Sequence, residues 1–474
     1  MNVKKIDVSL WIITGLTLLY ILLPSSNNTR DSIAFALDIR SNDELFYPHH
    51  LLFNAFGFVL SKLSGINKTL PFLCFINALF AGGCLWMMRQ LLSSFTGKKT
   101  YAFILLFLGS CYGFMRFATD AESYIIALFF ALWGSKVILS GEKIILTSLL
   151  LSISCLFHQI FVFWWIGLGI YVWWNFEKRR LINSAKYISV ALTVPLIYFI
   201  VFRFTENDCN NVLEFIFHDY VKNPTVFISL NSAIFLMTPI SFIRTFIQVH
   251  GYILPFVQKY FWVLIPVVIA GICFFIGLFK LKGSITKRSA TAQEQRYAYS
   301  HLLIFALQLL FAVISNGNAK FMFMLPFALV LFFFVKYATK FSPLFYLSIG
   351  VFLWNLSLAA IPMHFLQTSA DEPMVEYIEQ HPDKSYFFPE YGRIDVLLEY
   401  QSPDKKFNIY HTQAELDSLI QTGNTVLTNA VNNTVIMSRG SLLADKADLF
   451  SNYSIDKVDS VDYSLGTLYV SEIK

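Results

Sequence analysis

Charge is the scarce ingredient of this chain. Asp, Glu, Lys and Arg make up 14% of its 474 residues, against about 25% in soluble proteins. That deficit excludes a water-facing globule as its main form. Cysteine is thin as well. Of six, Cys74, Cys84, Cys111, Cys155 and Cys273 fall in apolar segments and only Cys209 in an expected loop, so neither a disulfide framework nor a metal–thiolate spacing emerges. No internal repeat or long low-complexity linker is visible. No small-residue cleavage site follows the first apolar run, so Lys4-Lys5 and Val8–Leu23 read as a signal anchor. What fills the chain instead is hydrophobic side chain, 56% of it, with 49 phenylalanines in runs such as Leu331–Val335. Such runs suit lipid better than an aqueous core.

The net charge of +5 hides a division. From Asp371 onward there are 17 acidic and 8 basic residues, and the remainder holds 28 basic against 14 acidic. The basic excess lies between apolar segments, where it specifies topology rather than nucleic-acid binding. A crossing helix needs about 20 mostly apolar residues, and on that standard spans fall near 8–24, 70–94, 101–117, 122–139, 144–157, 160–175, 186–204, 258–280, 300–315, 321–336 and 343–365. The stretch Ile144–Trp174 reads either as one tilted helix or as a hairpin turning at His158-Gln159. Lys143 and Lys178–Arg180 place both its ends inside, which selects the hairpin. About eleven crossings then put the N-terminus inside and the C-terminal region outside. From Asp371 the composition turns polar, with turn signals at His381-Pro-Asp, Ser402-Pro-Asp and Arg439-Gly and β-rich runs at Asn424–Thr428 and Thr467–Val470. The expected architecture is an all-α polytopic membrane protein over residues 1–370, with external loops 25–69 and 205–257, and a small extracytoplasmic α/β domain over 371–474. Sequons at Asn27, Asn67, Asn432 and Asn452 are short enough to arise by chance.

Charges beside hydrocarbon are costly and mark function or transport. The first external loop carries Asp31, Asp38, Asp43 and Glu44, and Asp31 and Asp38 are spaced to share a helix face. Pro48 suits the first turn of an interfacial helix over His49–Leu63. One reading is a general base at the membrane boundary with His49 or His50 beside it; the other is a solvated loop. Asp31, Asp38, His49 and His50 include donors for a divalent metal, but their spacing specifies no ion. The second external turn brings Arg116, Asp120 and Glu122 to a helix junction, where Asp120 or Thr119 has a capping role as its alternative. His158 at the hairpin tip lines a site or a solvated turn. Arg244, in the amphipathic Ser241–Gln248 stretch, binds an anion or snorkels to headgroups. Lys320 stands outside the helix that follows it, against the orientation rule. It needs a partner, either a lipid phosphate or an acid from another loop.

Together and in this order, these features resemble the polytopic GT-C glycosyltransferases, particularly the protein mannosyltransferase and aminoarabinose transferase branch, over residues 8–365. Asp31 resembles the catalytic acid carried soon after their first span, and Pro48-His49-His50-Leu51 their His-Pro-Pro-Leu element. Asp120 matches the acid of the second external loop, and Lys320 with Pro326 the basic residue and proline of the late helix. Three departures stand out: His in place of the second proline, no acid directly after Asp31, and Lys where Arg is frequent. The resemblance implies inverting transfer of a sugar from a polyprenyl-phosphate donor to a hydroxyl of a lipid, glycan or protein acceptor. Asp31 and Asp120 would then be catalytic, and Asp38, His49, His50, Arg116, Glu122, His158, Arg244 and Lys320 would line the substrates. A bacterial inner membrane suits the compact chain. The rival class is a transporter or flippase of lipid-linked saccharides, which predicts matched broken helices in two halves of the chain. A third reading, a membrane anchor for the acidic domain, leaves the loop chemistry unexplained.

Overall fold

The computed structural model describes residues 7–218, 233–249, 251–430 and 450–474. Lys4-Lys5, the Asn432 sequon, the Arg439-Gly turn signal and part of the 205–257 loop lie outside them. Six helices in the described residues are long and apolar enough to cross a membrane: Thr69–Leu92, Glu177–Phe204, Phe261–Leu281, Ala292–Ile314, Ala319–Lys336 and Phe341–Phe365. The bent pair Lys98–Ser110 and Tyr112–Ala118 makes a seventh if it is one span. Val8–Leu22, Tyr124–Leu139, Ile144–Phe157 and Ile234–Phe246 are apolar but shorter. The chain is therefore a multi-pass membrane protein. Lipid-type surface is plainest on Leu181, Phe275 and Phe279, all largely exposed, while Tyr20, Trp164, Tyr171 and Tyr297 are fully buried between helices.

Contacts divide the chain into two units. The first comprises Met1–Pro24, Asp38–His250 and Trp262–Ile361. Its opening helix, Val8–Leu22, is capped by Asp7, whose carboxylate accepts from the Ser9 amide at 3.1 Å and pairs with Arg89 at 2.8 Å. The Tyr101 hydroxyl donates to the same carboxylate at 3.2 Å, so three helices are fastened at one end. The expected hairpin is a real break. Helix Ile144–Phe157 ends at an extended His158, and a new helix, Val162–Asn175, packs back on it. Two expectations shift. The helix expected near 300–315 begins at Ala292, because Thr291 and Glu294 form a reciprocal capping box that carries it past its apolar body. The helix expected over His49–Leu63 starts as a 3-10 turn, Pro48–His50, and becomes α-helical at Phe53.

The span expected at 101–117 breaks at Cys111 and bends by 68°. A break within an apolar layer strands backbone carbonyls that lipid cannot satisfy. Asn355 answers that need here. Its Nδ2 donates to Ser110 O and Phe246 O, both at 2.7 Å, and its Oδ1 accepts from Gln248 N at 2.8 Å. Asn355 ends the helix Phe341–Asn355, and a π-turn over Leu356–Ala360 follows it.

The second unit comprises Ser25–Leu37, Gly251–Phe261 and Pro362–Lys474. Its five-stranded mixed sheet runs in the order Asn408–Tyr410, Ser385–Phe387, Val426–Thr428, Gly466–Ile473, Ile455–Tyr463. The first three strands are parallel and joined by helices Arg393–Gln401 and Gln413–Gln421; the last two form an antiparallel hairpin. This is the α/β fold expected from the polar composition, and Phe387, Leu416, Val426, Phe450 and Ile473 form its core.

Asn355→Leu keeps the branched shape and leaves three backbone groups, two of them in buried bonds, without their partner. It is expected to cost about 2–5 kcal/mol, read as a lowered unfolding midpoint of the detergent-solubilised protein, with Asn355→Asp intermediate. An unchanged midpoint for the Leu variant would remove the clamp role.

Candidate functional site

The bent helix delivers its C-terminal end to a short turn, Thr119–Ser123, that holds two buried carboxylates. Asp120 is fully buried, and Arg116, one helical turn earlier, places Nη2 2.9 Å from its Oδ2. Asp120 Oδ1 also accepts from the Ala121 amide at 2.9 Å. Glu122, 2% exposed, accepts from Lys320 Nζ at 3.0 Å. The turn is shaped from behind by Asn77, whose Nδ2 donates to the carbonyls of both Asp120 and Glu122 at 2.7 Å. Capping does not account for these residues. Helix Tyr124–Leu139 begins after Ser123 with no side-chain cap, and Thr119 Oγ1 turns back to Met115 O.

Lys320 comes from the Ala319–Met322 turn that opens a late span, and Asn318 Oδ1 fixes its backbone by accepting from Lys320 N at 3.0 Å. Gly317 ahead of it has φ +65°, and a Cβ there would sit 2.9 Å from Thr238 N, so the turn requires glycine on both counts. Of the two partners named for Lys320, the acid of another loop is the one seen. A third of the lysine side chain is still open. Each buried carboxylate thus has its own cation, which offsets the cost of taking charge out of water.

Beside this turn runs a column of rings. Tyr124 lies 4.3 Å from His158, His158 5.8 Å from His50, and His50 5.1 Å from Tyr47, measured between centroids. Burial holds the His158 imidazole well below its ordinary pKa, and His50, His49 and Lys320 add to the effect. Its Nδ1 accepts from the Ile160 amide, as a neutral ring does. Gln159 is the joint of the region. Its Nε2 lies 2.8–3.0 Å from Pro48 O, the Tyr198 hydroxyl and Ile216 O, which share its two hydrogens, and its Oε1 lies 3.3 Å from His49 Nδ1. An apolar cavity of about 590 Å³ opens beside it, lined by Gln159, Trp165, Tyr198, Ile216 and Phe311 among others.

The remaining candidates are placed as follows. Asp31 lies in the first turn of helix Arg30–Ser41, where the dipole favours a carboxylate. Thr29 caps that turn through Ser32 N at 3.1 Å. The segment ahead of Asp31 belongs to the second unit and is tied down there. Asn27 Nδ2 donates to Met363 O and Leu366 O, and Arg393 Nε to Asn28 O at 2.8 Å. Asp38, later on the same helix, accepts from Asn54 Nδ2 at 3.1 Å, and the other hydrogen of that amide goes to Glu44 O. Arg244 stacks over the Tyr112 ring at 5.7 Å. Within the first unit the structure therefore places two ion pairs, Arg116–Asp120 and Lys320–Glu122, on one short turn. His50 and His158 share the ring column, with His49 attached through Gln159. Asn54, Asn77 and Tyr124 are supporting residues that sequence reasoning did not single out. The one available signal was an asparagine inside an otherwise apolar run.

No family model and no curated protein matches the sequence. Among solved structures, the apo oligosaccharyltransferase of Archaeoglobus fulgidus is similar, with a TM-score of 0.50 and 10% identity, over 98% of this chain and 75% of that one. ArnT from Cupriavidus metallidurans, solved bound to undecaprenyl phosphate, gives 0.43 at 11% identity, over 98% and 97%. The first likeness shows the fold: this chain shares the polytopic, GT-C-like fold of that structure.

Removing Lys320 leaves Glu122 buried without its cation. Lys320→Ala is expected to lower stability by about 1–3 kcal/mol, discounted for its partial exposure, and Glu122→Gln in the same chain should recover most of it. Equal stability of Lys320→Ala and wild type in thermal unfolding would show that the pair carries no energy. A second expectation concerns pH. The folded pKa of His158 lies below its ordinary 6.5, so its stabilisation is complete above that value and is lost as pH falls from there toward the folded pKa. Between about pH 7 and pH 5 the unfolding midpoint should drop more steeply for wild type than for His158→Gln. Parallel curves would rule the histidine out as a source of the slope.

Proposed function

We propose that the chain is a membrane glycosyltransferase that moves a sugar from a polyprenyl-phosphate-linked donor to a hydroxyl acceptor at the external face. The observation that carries this reading is the Lys320–Glu122 pair, 3.0 Å across 198 positions of sequence. It joins the basic residue of the late span to an acid of the second loop, on a fold similar to that of an oligosaccharyltransferase. Asp31 acts as general base, taking the acceptor proton as the hydroxyl oxygen attacks the anomeric carbon. The bond from that carbon to the lipid phosphate breaks, its electron pair leaves with the phosphate, and the centre inverts. Lys320 meets the charge on the leaving phosphate, with Arg116 or Arg244 adding to it. Asp120 holds Arg116 in place for that task. Asp38, His49, His50, Glu122 and His158 line the substrates, and the apolar cavity beside Gln159 suits an isoprenoid chain. Residues 1–370 form the membrane transferase and 371–474 the external domain, in a bacterial inner membrane with the N-terminus in the cytoplasm.

One observation favours the transporter reading instead. The helix broken at Cys111, bent by 68°, is of a kind that lines transport sites. Sugar transfer from radiolabelled polyprenyl-phosphate donors, in membranes carrying wild type or Asp31→Asn, separates the two. Wild-type transfer is expected, with at least a hundredfold loss in the variant at equal membrane insertion, on the order expected for a general base. Transfer that persists in Asp31→Asn would move the base to Asp38 or Asp43. Movement of donor across vesicles with no transfer would favour the flippase. Lys320→Ala should weaken use of the lipid donor about tenfold or more, and an unchanged dependence on donor concentration would take Lys320 out of the site.

A further inference from the structure

Cys209 is the cysteine that the apolar helices do not account for. It lies between the helix Thr193–Phe204 and the short helix Val212–Ile216, partly exposed. Two other potential ligands converge on it. Asp208 Oδ1 lies 3.9 Å from Cys209 Sγ and 3.7 Å from His218 Nε2, and one ligand atom from each residue falls within 4.8 Å of the others. We propose that Asp208, Cys209 and His218 form a binding site for a zinc-type divalent ion, with a fourth position left for water.

The donor set chooses the class of ion. Thiolate, imidazole and carboxylate together match zinc chemistry, whereas calcium and magnesium call for oxygen ligands throughout. The separations suit it as well. Tetrahedral zinc bonds of about 2.0–2.3 Å set ligand atoms about 3.4–3.8 Å apart, close to the 3.7 and 3.9 Å seen here. The backbone is already set. Asn207 Oδ1 accepts from Cys209 N, Asn211 caps the following helix through Glu214 N, and Glu214 Oε2 accepts from Asn210 N. The far end of the segment is also fastened, since Ile216 O accepts from Gln159 and Phe215 packs on Leu51 and Tyr198. The ring of Tyr47 stands 6.4 Å from that of His218 and 5.1 Å from that of His50. An ion at this site therefore pins the 208–218 segment beside the ring column, and a wall of the apolar cavity (Ile216, Phe217) with it. The proposal is independent of the sugar-transfer reading and is measured without it.

The test uses the full chain in detergent, stripped of metal and of any affinity tag, with Co²⁺ as the probe. Wild type is expected to bind one equivalent with a near-ultraviolet thiolate-to-cobalt absorption that Zn²⁺ abolishes. Cys209→Ser should lose that band, and His218→Ala should weaken binding at least tenfold. Absence of the band in wild type, or an equal band in Cys209→Ser, would overturn the site. A second measurement needs no variant: Zn²⁺ should slow maleimide labelling of Cys209, mapped by peptide mass spectrometry, at least tenfold. Labelling at the same rate with and without Zn²⁺ would overturn it equally.

Discussion

At three places among the described residues where this membrane fold departs from straight helices, a side-chain amide stands in for the missing backbone partner. Lipid offers no hydrogen bonds, so a helix that breaks inside the apolar layer must be answered by protein. Asn355 closes the break at Cys111 by taking carbonyls from two helices and an amide from a loop. Asn77 performs the same service for the turn holding Asp120 and Glu122, and Asn54 for the loop after Asp38. Each donates both amide hydrogens to different acceptors. That geometry fixes position more tightly than one bond would, and it is what allows carboxylates to be carried on short irregular turns.

The same economy governs charge. Asp120 and Glu122 are two residues apart and both buried, an arrangement that would be repulsive if they shared one environment. Each is instead matched to a different cation, one local (Arg116) and one distant (Lys320). The local pair belongs to a single helical turn. The distant pair couples that turn to the opening of a late span, so the two elements must be docked before Glu122 is neutralised. The histidines beside them contribute no charge of their own at His158, where burial favours the neutral ring.

Much of this was legible in the residues. Apolar runs and basic flanks located the helices, and the change of composition at Asp371 announced the α/β fold. The Ile144–Trp174 hairpin followed from the charges at its ends. Loop chemistry pointed to Arg116, Asp120, Glu122 and Lys320 among other candidates, and these four form two ion pairs at one buried turn. The break at Cys111 was not read from the sequence, although Gly109-Ser110 ahead of it is the kind of pair at which helices kink, because the compensating residue lies 245 positions away. Lengths near Ala292 were underestimated because a capping box extends a helix where hydropathy has already ended. Gln159 as a four-way joint was hidden for a related reason: its partners at Pro48, Tyr198 and Ile216 are scattered along the chain.

The segment ahead of Asp31 is held by residues made much later in translation. Ser26 and Asn27 bond to Met363, Leu366 and Thr368, some 340 positions on. At about 5–20 residues per second, those partners are synthesised tens of seconds after the loop itself. Through that interval the first loop cannot acquire its final anchorage, whatever the helices around it have done. Synthesis of the last apolar helix, Phe341–Phe365, and of the residues just after it is thus the step that anchors the segment ahead of Asp31, and the earlier helices are made before it. Timing built into the contact pattern keeps that segment unanchored until Met363, Leu366 and Thr368 are made.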